Sequence, residues 1–175
     1  MKSSHKSIFL VSLITILTLS QSTGSHAEDI SLKGFLDDNA IFTLLHHKDA
    51  QTGGLNVVSV SEARSNALDA KDRIAGYPIS GKLKDLNREK SFYLANLLLD
   101  KNNYSNLRQR CLNQELNGIR FSVDDDKVEV VIGSPCNQIF VVFKHENETQ
   151  WWGNTLGEGA MKKALKLLCV DDLNQ

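Results

Sequence analysis

Two prolines and three cysteines in 175 residues leave this chain little but hydrogen-bonded secondary structure and a hydrophobic core to organise it. No proline- or glycine-rich linker, internal repeat or low-complexity tract divides it, so several domains joined by flexible segments are not expected. Basic residues do not accumulate. Lys162, Lys163 and Lys166 on the last helical stretch are the densest group, too few for a protein that reads a phosphate backbone, so nucleic acid is not an expected partner. Neither Gly-x-Ser-x-Gly nor His-Glu-x-x-His occurs, and Gly153, Gly157 and Gly159 stand in the wrong context for a phosphate-cradling loop. Nothing in the sequence calls for a cofactor.

Long apolar runs are also scarce, and the main one lies at the start. Met1 to Lys6 carries Lys2 and Lys6 and no acid, Ile8 to Leu19 is apolar apart from Ser12, Thr15 and Thr18, and Ser25-His26-Ala27 offers small residues three and one positions before Glu28. A positive start, a short apolar core and a small-x-small exit form the pattern of a cleavable signal peptide over residues 1–27. The apolar run is shorter than the roughly 20 residues of a spanning helix, and no later run reaches that length. Removal of residues 1–27 leaves 148, enough to bury a core. It also takes away two lysines, moving the formal net charge from −1 to −3. Residues 28–38 read as a mobile lead-in and residues 39–175 as a single α+β domain.

Within that domain, Ala40 to Leu45 is apolar and reads as a strand, with a short helix over 38–46 as the competing reading. Asp49 to Gly54 reads as a turn and Leu55 to Val60 as the returning strand. Residues 61–71 are polar and carry little signal. Arg73 to Ile79 reads as a third strand, kept to an edge by Pro78. Asn87 to Leu99 reads as a helix capped by Asp85 or Asn87, with Phe92, Ala95, Leu98 and Leu99 on its inner face. Ile119, Phe121 and Val123, then Val128, Val130 and Ile132, alternate with polar neighbours around Asp124-Asp125-Asp126, which predicts a hairpin. Ile139 to Phe143 is apolar on both faces, as a covered central strand should be. Thr155 and Glu158 match a capping box before a helix whose stripe is Ala160, Met161, Ala164, Leu165 and Leu168. The order β-β-β-α-β-β-β-α predicts a two-layer α+β domain, a mainly antiparallel sheet of five or six strands covered by two helices.

An exported chain meets oxidising conditions, where cysteines pair. A hairpin centred on Asp125-Asp126 sets Gly118 opposite Gly133, so Cys111 and Cys136 both leave its open end. A bent segment at 112–117 brings them within the roughly 4.4–6.8 Å between Cα atoms that a disulfide needs. Cys136–Cys169 is the rival pairing. The stretch from Cys111 to Gln138 resembles a group of uncharacterised bacterial proteins with a Cys-Phe-x-Pro-Arg-His-Gly-Ile segment followed by a Cys-Phe-x-Cys-x-Gln segment. Cys111, Gly118, Ile119, Arg120, Cys136 and Gln138 carry the match. Leu112, Gln114, Glu115 and Gly133 depart from it, and with Gly133 goes any dithiol motif. The resemblance implies architecture and a bacterial origin, and no activity.

Three consecutive acids, Asp124 to Asp126, point to different sides of a turn and do not make a calcium loop, which needs six to eight oxygens. His46 and His47, placed on a strand, face opposite ways and cannot chelate together, so no metal site is expected. Trp151 and Trp152 are the candidate interface: neighbours on a strand face opposite sides, and an exposed tryptophan is a favoured anchor. The leading reading is an exported, periplasmic or secreted non-catalytic binding protein whose partner is another protein, as for an inhibitor or an immunity-type protein that caps a toxin. An exported enzyme using Cys or His chemistry is the second; it requires Cys136, a histidine and an acid to converge. A structural envelope component self-associating through Cys169 is the third.

Overall fold

The computed structural model describes residues 31–66, 71–105, 115–146 and 148–169, and the side chain of Cys169 lies outside that description. The expected signal peptide and Cys111 also lie outside it. The first helix, α1 (Leu32–Phe35), is followed by α2 (Asp38–His46), β1 (Asp49–Leu55) and α3 (Val60–Ser65). A ribbon of β2 (Arg73–Ile74) and β3 (Tyr77–Pro78) precedes β4 (Lys84–Asp85) and α4 (Arg88–Leu99). After a 3-10 turn come β5 (Tyr104–Ser105), β6 (Glu115–Val123), β7 (Asp126–Ser134), β8 (Gln138–His145), β9 (Glu148–Leu156) and α5 (Glu158–Cys169).

The fold is α+β around an antiparallel sheet of seven strands in the order β4-β1-β6-β7-β8-β9-β5. The strand count exceeds the expected five or six, and among the described residues five α-helices stand where two were expected. One face carries α1, α2, α4 and α5, packed on Ile119, Phe121, Val128, Val130, Ile132, Ile139, Val141 and Phe143. The other face is not bare. Ala63 of α3 and Ile74, Ala75 and Tyr77 of the ribbon close a smaller core with Leu55, Leu116, Val131 and Val142. A partial third layer therefore replaces the expected two-layer arrangement. Among the described residues no helix is long and apolar enough to cross a membrane.

The first half departs most from expectation. Residues 31–38 are not a loose lead-in: Leu32 is fully buried, and the Ser31 side chain accepts from Gly34 N. Ala40 to Leu45 is helical, because Asp37 caps α2 by accepting from Ala40 N at 2.8 Å and Ala40, Thr43 and Leu44 fall on one buried stripe. Asp49 to Gly54 is strand β1, not a turn. Gly53 and Gly54 lie opposite Gly118 and Asn117, and a Cβ on Gly118 would stand 3.0 Å or less from Leu55 and Ile74. These glycines give close approach between layers, not reversal of the chain. Reversal occurs at Ala75-Gly76, both with positive φ, where a Cβ on Gly76 would collide with the Ala63 carbonyl. Pro78 sits in the short ribbon, where a missing N–H is tolerated.

The later elements lie close to where they were placed. The β6–β7 turn is the two residues Asp124-Asp125, with Val123 opposite Asp126, so Gly118 faces Val131 and Gly133 faces Leu116. β8 is covered on both faces. Asn87 caps α4, accepting from Lys90 N at 2.8 Å. The buried stripe of α4 runs through Ser91, Leu94, Ala95 and Leu98, which leaves Phe92 52% exposed instead of inward. Thr155 lies within β9, which runs on to Leu156, instead of capping α5; Gly157 occupies the turn before that helix and its carbonyl accepts from Met161 N.

Candidate functional site

β8 and β9 pair from Gln138–Thr155 to His145–Glu148, which sets Trp152 opposite Val141 and Trp151 opposite Val142. The two indoles therefore leave opposite faces of the sheet. Trp152 turns toward the helical layer, stacked 6.1 Å from Phe35 and edge-on to Tyr104 at 5.3 Å, where it packs against the main core. Trp151 turns to the other face, where the Arg64 guanidinium lies 5.7 Å from its ring centroid, within the reach of a cation–π contact.

A groove of about 320 Å³ runs along this second face. Phe140, Trp151 and Gly153 form its floor, Val60 and Arg64 of α3 one wall, and Gln138 and Thr155 its far end. Gly153 makes the floor possible, since a Cβ there would meet Phe140 at 3.1 Å. The wall is set by α3, where Ser59 accepts from Glu62 N at 3.1 Å. The sequence Ser59-x-x-Glu62 is a helix-start signal that straddles the end of the expected Leu55–Val60 strand and the uninformative residues 61–71; β1 instead ends at Leu55, and the signal would have located Arg64.

Beneath the ribbon lies a second arrangement that sequence reading missed. Glu129 is fully buried, although alternation along β7 makes it an outward residue. Its carboxylate accepts from Arg120 Nε at 2.7 Å, Lys144 Nζ at 2.8 Å and Ala75 N at 2.6 Å. Arg120 also donates to the Arg73 carbonyl, and Arg73 donates to the Gly76 carbonyl at 2.9 Å. Three adjacent strands thus grip the ribbon through one carboxylate. The sequence shows these residues only as polar positions on separate strands.

Cys136 is 5% exposed in the β7–β8 connection and is disulfide-bonded; the sulfur it joins lies outside the described residues. Gln138, two residues on, lines the groove, so the connection fixes one end of it. The three acids of the β6–β7 turn diverge: Asp124 pairs with Lys48, and Asp126 binds His145 Nδ1 at 2.6 Å. That bond raises the His145 pKa above its ordinary 6.5. β8 separates His145 from Cys136 by eight residues, about 25 Å of extended chain, so the two do not converge on one reacting atom. His46 and His47 end α2 instead of lying on a strand, and both line one groove. Among the described residues no cluster of three or more His, Cys, Asp or Glu forms a metal site.

The two histidines with displaced pKa values act on stability with opposite sign. His145 is favoured as imidazolium, so its contribution is fully present below 6.5 and is lost as pH rises through its folded value. Burial, and then Arg88, lower the pKa of His47; its contribution is present above 6.5 and is lost as pH falls through its folded value. In an NMR titration Asp126→Asn should return His145 to near 6.5 and leave His47 unmoved. An unchanged His145 titration in that variant would mean the Asp126 contact does not form in solution. Compared with family models, with curated proteins and with solved structures, the chain matches none.

Proposed function

We propose that the chain is an exported, non-catalytic binding protein that receives an apolar or aromatic side chain of a partner protein in the Trp151 groove, and that Cys111 supplies the second sulfur of the Cys136 disulfide. The groove itself carries the reading: an aromatic floor on a paired sheet, with an arginine over the indole. Tryptophan and arginine are the residues most enriched among interface hot spots. Arg64, exposed on α3, favours a partner with acidic residues beside its anchor. An inhibitor or an immunity-type protein that caps a toxin is the class of binder we propose. The signal-peptide pattern at residues 1–27 supports export.

The test is affinity capture from the envelope fraction of the source cell, with wild type and Trp151→Ala side by side. Loss of a central aromatic anchor costs about 2 kcal/mol or more, roughly thirtyfold in affinity. A specific partner held by wild type and lost by the variant is the expected result. A partner held equally by both places the interface elsewhere.

A further inference from the structure

A second groove, of about 400 Å³, opens where the end of α2, the start of β1 and the first turn of α4 meet. Four of its six lining residues are basic, His46, His47, Lys48 and Arg88; the other two, Ala50 and Leu86, are apolar. Among the described residues no carboxylate lines it, although the chain as a whole carries one more acid than base. Two acids stand near: Asp49 follows Lys48, and Asp124 holds Lys48 in an ion pair. Neither enters the lining.

The geometry is fixed from below. The His47 ring lies against Phe121, centroids 5.2 Å apart, and Leu86 N donates to the Ala50 carbonyl at 2.8 Å, which ties the start of α4 to β1. Nε2 of His47 is buried and has no hydrogen-bond partner among the described residues. A ring nitrogen withdrawn from water and left unpaired is unfavourable, and an occupant of the groove that accepts or shares a proton there removes that cost. Arg88 brings a planar fork of N–H donors, whose geometry matches oxyanions, and the N-terminal end of a twelve-residue helix adds positive potential.

We propose that this groove binds a doubly charged oxyanion, a phosphate or sulfate group, with Arg88 as its main clamp, His47 donating from Nε2, and Lys48 and His46 at the rim. The groove is larger than the anion alone, so the group is the head of a larger molecule whose remainder lies over Leu86 and Ala50. Binding is linked to proton uptake. Arg88 and His46 both disfavour the His47 imidazolium, Asp49 favours it, and burial keeps the ring neutral near pH 7. An anion in the groove reverses that balance, so affinity rises as pH falls.

The experiment is a titration of the protein with sulfate at constant ionic strength, followed by imidazole and guanidinium nitrogen shifts in NMR at pH 6 and pH 8. Sulfate keeps both charges across this range, so any pH dependence belongs to the protein. Saturable shifts centred on His47 and Arg88, stronger at pH 6 and weakened about tenfold by Arg88→Gln, are expected. Inorganic phosphate at pH 8 then shows which of the two anions is preferred. Non-saturating shifts, or binding unchanged by Arg88→Gln, would reveal adventitious ions only and overturn the site. Acetate binding as tight as sulfate would overturn the doubly charged class.

Discussion

Glu129→Gln should lower the stability of this protein by about 3 kcal/mol in denaturant unfolding, while keeping the side-chain shape almost unchanged. The substitution removes one negative charge from between Arg120 and Lys144, whose side chains are 13% and 16% exposed. Removing one member of a buried ion pair typically costs about 3–5 kcal/mol, because the partner charge remains desolvated without compensation. The lower end applies because both cations keep a little contact with water. The amide oxygen can still accept from Ala75 N, so the ribbon loses its charge partner before it loses its backbone bond. A triple replacement, Arg120→Met with Glu129→Leu and Lys144→Met, separates the possible origins of the loss. Well-packed apolar substitutes for a buried ionic group are often neutral or better. A triple variant nearer wild type than the single one identifies unpaired charge as the cause. A triple variant as damaged as Glu129→Gln would show that relieving the unpaired charge does not restore stability, since the triple also removes the acceptor for Ala75 N. In either case Trp151 is a reporter, since it packs with Phe140 on the same secondary core as the ribbon.

The same residues show where sequence reasoning runs out. The β6–β7 hairpin, the doubly covered β8 and helices α4 and α5 were legible because each repeats a period of 2 or near 3.6 over a whole element. The region from Ala40 to Leu55 was misread because its two strongest local signals have two meanings. An apolar hexapeptide fits a strand as well as a short helix, and Asp37, which decides the matter, precedes the run. A glycine pair suggests a turn, yet Gly53 and Gly54 serve the approach of other layers. Fold class was therefore legible, whereas the third layer was not: the ribbon and α3 are short and polar in sequence, and they are held by contacts between residues 54 positions apart, such as Ala75 with Glu129. The candidate site divided in the same way. Period-2 geometry placed Trp151 and Trp152 on opposite faces, but the wall of the groove, Arg64, comes from a six-residue helix marked only by its cap.

Replacing Cys111 by Ser should cost on the order of 3 kcal/mol and raise the free-thiol count of the oxidised, denatured chain from one to two. The proposed pairing is supported by the sheet register beside Cys136. Glu115 pairs with Ser134, and in the sequence Cys111 stands four residues before that pair and Cys136 two residues after it. The backbone of the rival, Cys169, closes the far end of α5. Leu156 N donates to the Asn137 carbonyl at 2.8 Å, so α5 begins beside the Cys136 connection, and twelve helical residues carry the Cys169 backbone about 18 Å from that start. A disulfide spans no more than about 7 Å between Cα atoms. Closing a loop of about 26 residues removes chain entropy worth on the order of 3 kcal/mol from the unfolded state, or about 6–12 °C in melting temperature for a domain of this size. Cys169→Ser should leave stability close to wild type and bring the free-thiol count to zero. The reverse pattern, with Cys169→Ser destabilising and Cys111→Ser silent, would assign the bond to the C-terminal helix and require α5 to leave its place against α4. The groove gives the pairing a functional consequence. Gln138 follows Cys136 by two residues and closes one end of the Trp151 floor, so releasing the staple should loosen that end first. Partner binding should weaken in Cys111→Ser even at temperatures where the fold persists, and undiminished binding there would uncouple the disulfide from the groove.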